Sequence, residues 1–143
     1  MTSSFLVIDA SVSISWLLAD ENESYSQGVL ECFPQYRPIA PAVWPLEVGN
    51  ALLMAERRQR LTSEKTGVFL SLLQKLPIVV ETEPSQHLLA ELLNLARQQQ
   101  LSVYDASYLH LAMRRGGLLA TMDQRLRQAA LDTGVPLFGG QGD

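Results

Sequence analysis

The chain predicts an α/β domain built on a mainly parallel sheet. Three observations carry this. Short apolar runs recur at Phe5 to Ile8, Ile78 to Val80 and Leu118 to Thr121, each suited to a buried strand. Segments with helical spacing lie between them, the order expected of a layered α/β domain. Asp9 and Asp123 stand just past two of the runs, and open parallel sheets form their sites outside the carboxyl ends of the strands. At 143 residues the chain suits one domain, 1–143, with a core from about 5 to 138.

Taken in order, Phe5 to Ile8 ends in Asp9, and Asp9-Ala10-Ser11 enters a helix that holds Val12, Trp16 and Leu17. An acid at such a junction caps the helix or belongs to a site, and Ser11 can cap as well. Asp20 to Glu23 is a polar break opening a second helix with Val29, Leu30 and Phe33. Pro34 and Pro38 end that helix and bound a loop, and Ile39-Ala40-Pro41 is a weak candidate strand. Trp44-Pro45 opens a third helix, with Pro45 in its first turn and an inward stripe of Leu46, Gly49, Asn50, Leu53 and Met54. By itself, Glu47 reads as an exposed first-turn acid helped by the helix dipole.

Glu56 to Arg60 is a charged helix end, and Thr62-Ser63-Glu64 caps the next helix, with Val68, Phe69, Leu72 and Leu73. These two helices form a hairpin. Its Arg57, Arg58 and Arg60 suit a solvated end better than a phosphate site. Pro77 precedes the β-branched strand Ile78 to Val80, and Pro84-Ser85 starts a Leu-rich helix through Ala96. Asp105 lies in the first turn of a helix in which Leu109, Ala112 and Met113 follow at helical spacing, and Gly116-Gly117 stops it. Gln124 to Leu131 is a short helix, and Gly134 to Phe138 a final edge strand. His87 reads as a surface residue, and His110 has no cysteine or histidine partner at metal spacing.

Composition excludes several classes. Cys32 is the only cysteine, so no internal disulfide forms. A net charge of −4 argues against attachment to nucleic acid through a strongly basic surface. It leaves room for an enzyme that meets nucleic acid through a metal and a few of its nine arginines. No run reaches membrane-spanning length, and Phe5 to Ile8 is too short for a signal peptide, so the expectation is a soluble cytoplasmic protein.

If all strands point one way, Asp9, Glu47, Asp105 and Asp123 share one edge of the sheet. Two unit charges about 5 Å apart repel by roughly 3 kcal/mol at an effective dielectric near 20. Such a cluster takes up protons or binds a divalent cation. Oxygen-only ligands favour Mg2+ or Mn2+ over zinc, and a metal so held can activate water against a phosphodiester.

The motifs VIDASV with Asp9, PLEVGNAL with Glu47, LSVYDASYLHLA with Asp105 and LLATMD with Asp123 resemble the acidic motifs of PIN-domain ribonucleases. Length and spacing most resemble VapC-type toxins of toxin–antitoxin pairs, from about Phe5 to Phe138. The resemblance implies a PIN-like three-layer fold and a Mg2+- or Mn2+-dependent endoribonuclease acting on structured RNA. Asp9 and Asp105 would be the main metal ligands, and Asp123 and Glu47 would complete the site directly or through water. Ser11 and Thr121 would be hydroxyl neighbours orienting an acid or a water. It also implies a homodimer and a VapB-like antitoxin whose helix lies in an apolar groove near the hairpin between Trp44 and Leu76. Gln124 stands where family members often carry a further acid, which leaves one bound ion as good an expectation as two.

Two other acidic Mg2+ folds fit less well. A receiver domain wants adjacent acids after the first strand and a lysine after the last, but the last lysine is Lys75. A haloacid-dehalogenase-type phosphatase wants an Asp where Ser11 stands. The remaining alternative is a PIN-like RNA- or protein-binding module with weak or no nuclease activity, and retention of all four acids favours the enzyme.

Overall fold

The computed structural model describes residues 4–18, 23–82 and 85–139. Four parallel strands form the sheet in the order β3-β2-β1-β4. They are β1 (Ser4–Ile8), β2 (Tyr36–Ala40), β3 (Val79–Val80) and β4 (Leu118–Ala120). Leu6, Val7 and Ile8 are wholly buried, as an apolar run in an interior parallel strand should be. Side chains alternate across the sheet. Leu6, Ile8 and Ala120 pack with Val12, Val29 and Phe33 on one face. Val7 and Leu119 face the larger cluster, which draws on the third, fifth, sixth and seventh helices. A parallel sheet covered on both faces by helices is the three-layer α/β fold the motifs imply.

Among the described residues the helices are α1 (Ala10–Ser15), α2 (Glu23–Glu31), α3 (Trp44–Arg57), α4 (Ser63–Gln74), α5 (Leu89–Gln99), α6 (Val103–Arg115) and α7 (Gln124–Thr133). Several starts are set by side-chain caps. Asp9, Thr62, Ser102 and Asp123 each accept a hydrogen bond from a backbone N–H of the first turn. Gly116 ends α6 at φ +63°, where lack of a Cβ removes the penalty of the left-handed region. The polar break at Asp20 to Asn22, and Pro84, lie outside the described residues.

Four expectations need correction. Pro38 lies inside β2, paired with Leu6, and does not bound a loop. Because β3 pairs only with Ile39 and Ala40, β2 is locally an edge at Pro38, and its missing N–H costs no ladder bond there. The inward stripe of α3 is Trp44, Val48, Leu52 and Ala55, with Leu46 73% exposed. Phe33, expected on the second helix, lies past the end of α2 in a short 3-10 turn, Phe33–Gln35. The final edge strand reduces to a single bridge between Leu119 and Leu137.

Candidate active site

The strand register aligns the carboxyl ends of the sheet. Ile8 stands beside Ala120, and Val7 beside Ile39. Asp9 follows Ile8 directly, and its backbone N–H continues the ladder to the Ala120 carbonyl at 3.3 Å. Its carboxylate turns back onto the first turn of α1. Oδ1 accepts from Val12 N at 3.1 Å and Ser11 Oγ at 2.7 Å, and Oδ2 accepts from the Thr121 hydroxyl. Asp9 is therefore both the cap of α1 and part of the acidic edge. It is 4% exposed. Burial pushes its carboxyl up to about 6, against the three hydrogen bonds that favour the charged form, and the Asp123 charge adds to the rise.

The same hydroxyls fix the loop after β4. Thr121 Oγ1 accepts from Asp123 N at 3.0 Å, and Ser11 Oγ accepts from Met122 N at 3.2 Å. Asp123 caps α7 through Oδ1, which accepts from Leu126 N at 3.1 Å, and its side chain is exposed. Asp105 is half-buried in the first turn of α6. Burial raises its carboxyl, and the charges of Asp123 and Glu47 raise it further.

Glu47 differs from the exposed acid its position suggested. It is half-buried in the first turn of α3, and Oε1 accepts from the Tyr108 hydroxyl at 2.6 Å. Tyr108 is 1% exposed. Its hydroxyl is pushed well above the usual tyrosine range by burial, then by its bond to Glu47 and the charges of Glu47, Asp9 and Asp105. The start of α3 is anchored separately. Trp44 Nε1 donates to Ser13 Oγ at 3.0 Å, and Ser13 Oγ donates to the Asp9 carbonyl at 3.1 Å. The chain from Trp44 through Ser13 to the Asp9 carbonyl thus ties the start of α3 to the end of β1.

The Asp123 charge acts on Asp9, the charges of Asp123 and Glu47 act on Asp105, and no basic residue figures among the groups that shift Asp9 or Asp105. Sequence reasoning missed Tyr108 and Ser13. Tyr108 lies three residues after Asp105 on one helix face, a spacing that points the two side chains the same way.

A family model described as the PIN domain matches residues 6–131. The chain belongs to the PIN-domain family. Among solved structures, this PIN domain is similar to PAE2754 from Pyrobaculum aerophilum, at 25% identity and a TM-score of 0.65, over 90% of this chain and 87% of that one. It also shares its fold with FitAcB from Neisseria gonorrhoeae, at 18% identity and a TM-score of 0.60, over 87% of this chain and 92% of that one. No curated protein matches.

In this PIN domain the donor set fits a hard, water-rich cation. Among the described residues no three His, Cys, Asp or Glu side chains form a ready-made metal cage. Mg2+ does not need one, since it keeps several waters and binds through one or two carboxylates plus substrate phosphate. Asp123 and Glu47 each have one oxygen engaged by a protein donor, which leaves the other for water or metal. Among the described residues no helix is long and apolar enough to cross a membrane.

Proposed function

We propose that this PIN domain is a Mg2+- or Mn2+-dependent endoribonuclease that cleaves structured RNA and acts as the toxin of a toxin–antitoxin pair. The observation that carries the chemistry is Asp9. It is a buried carboxylate clamped by two hydroxyls and one backbone N–H, under the added charge of Asp123 and shifted by no cation. A protein keeps such a charge array where a divalent cation offsets it.

Asp9, Asp105 and Asp123 would hold the ion, with Glu47 reaching it through water. The bound ion would lower the pKa of a water nucleophile and steady the phosphodiester's developing charge. Ser11 and Thr121 fix the orientation of Asp9, so both of its oxygens keep their direction when the ion or the RNA arrives. Asp105 and Glu47 stand in the first turns of α6 and α3, and the Glu47 charge acting on Asp105 supports their belonging to one site.

The toxin assignment rests on the motif resemblance, and it brings a VapB-like antitoxin and a homodimer with it. The seat of an amphipathic antitoxin helix would be the largely apolar groove between α4 and the segment after α1, lined by Trp16, Leu17, Val68, Phe69 and Leu72 together with Glu64 and Lys65.

The test is cleavage of total RNA by the purified protein with Mn2+, with Mg2+ and with EDTA, beside Asp105→Asn. The proposal expects discrete fragments that require both metal and Asp105. No cleavage by a folded, metal-loaded, antitoxin-free sample would move the assignment to a binding module.

A further inference from the structure

We propose that Tyr108 is a positioning residue of the acidic site, holding the Glu47 carboxylate at the orientation in which its second oxygen serves the metal-bound water. This rests on the nuclease reading and extends it to a residue outside the four acids.

The geometry carries it. Tyr108 sits in mid-α6, one turn beyond Asp105, while Glu47 is in the first turn of α3, sixty-one residues away in sequence. The tyrosine ring is buried, so its hydroxyl has little freedom to turn to solvent. It donates to Oε1 of Glu47 at 2.6 Å, the short distance of a charge-assisted bond. Among the described residues no other group donates to Glu47, and no Lys, Arg or His pairs with it. One hydrogen bond from a fixed donor therefore selects among the rotamers of a side chain with three rotatable bonds. The other oxygen, Oε2, is left for solvent or a hydrated cation.

A purely structural tyrosine would need a partner for its hydroxyl and nothing more. Here the partner is a carboxylate whose charge also acts on Asp105, and the same hydroxyl lies within the field of Asp9 and Asp105. Partners that orient groups at a metal site commonly contribute tenfold or more to metal affinity or activity.

Tyr108→Phe keeps the ring and removes only the donor. Mn2+ titrated into the full chain, with the free ion followed by electron paramagnetic resonance, gives the affinity. The variant should bind Mn2+ about tenfold more weakly, with circular dichroism unchanged. RNA cleavage should lose kcat with little change in KM. Adding Tyr108→Phe to Glu47→Gln should cause no further loss, because both act through one carboxylate.

Parental Mn2+ affinity in Tyr108→Phe, or losses that multiply in the double variant, would overturn the role. If the parent binds Mn2+ and cleaves RNA while the variant equals it, only the role of Tyr108 falls. If the parent neither binds nor cleaves, the nuclease reading falls with it. A second readout needs no Tyr108 variant. The Tyr108 hydroxyl proton should be a slowly exchanging, downfield signal in the parent and move upfield in Glu47→Gln. Absence of that signal would equally overturn the role.

Discussion

Replacing Asp9 by Asn should make the metal-free protein more stable near neutral pH, and the gain should disappear in acid. The folded protein holds the Asp9 carboxyl near 6, whereas the unfolded chain releases the proton near 3.9. The folded state therefore binds more protons than the unfolded state between those values, and stability falls as pH rises through them. A gap of about two pKa units corresponds to about 3 kcal/mol of strain, fully present above pH 6 and down to about 1 kcal/mol at pH 4.5. Asn keeps an oxygen for Val12 N and Ser11 Oγ, so the cap survives with no charge to bury, but its NH2 replaces the acceptor of the buried Thr121 hydroxyl, a loss of about 1 kcal/mol. The net gain of about 2 kcal/mol should raise Tm by roughly 4 to 8 °C for a domain of this size. The assay is thermal unfolding of parent and variant in EDTA at pH 7.5 and pH 4.5. An Asp9→Asn protein less stable than the parent at pH 7.5, or a difference independent of pH, would refute the claim that Asp9 is a strained buried charge.

Other outcomes follow from the same geometry. Mn2+ should stabilise the parent by mass action, by about 2.7 kcal/mol at one hundred times Kd, read as a rise in Tm. Asp9→Asn should show a much smaller rise under the same titration. Gly117→Ala should destabilise the protein by about 1 to 3 kcal/mol, because a Cβ there would lie 2.6 Å from the Phe5 carbonyl oxygen where β4 meets β1. Chemical denaturation measures it, and parental stability would mean that β1 and β4 pack less closely than described.

Strands β1 and β4, and the placement of Asp9, Asp105 and Asp123 at the starts of helices, were legible in the sequence because the signals are local. An apolar run followed by an acid marks both Asp9 and Asp123, and Ser102 three residues before Asp105 marks a helix start. Contacts that join distant segments leave no such trace. Nothing within the Glu47 segment points to Tyr108, so a lone first-turn acid looked exposed. The α3 helix is apolar on more than one face, with Leu46 and Leu53 exposed and Val48 and Leu52 buried. Periodicity alone therefore does not select the inward face; the buried Trp44, bonded to Ser13, does. Pro38 hid β2 because the rule against proline in strands depends on how far the neighbouring strand extends, and β3 is only two residues long.

In the proposed function, Asp9, Glu47, Asp105 and Asp123 serve one cation site. Anomalous diffraction from crystals grown with Mn2+ tests it most directly. The expected result is a Mn2+ peak at the carboxyl end of β1, within direct ligand distance of Asp9 or Asp105 and absent from Asp105→Asn crystals. Mn2+ bound elsewhere, or no bound Mn2+ at millimolar concentration, would contradict it.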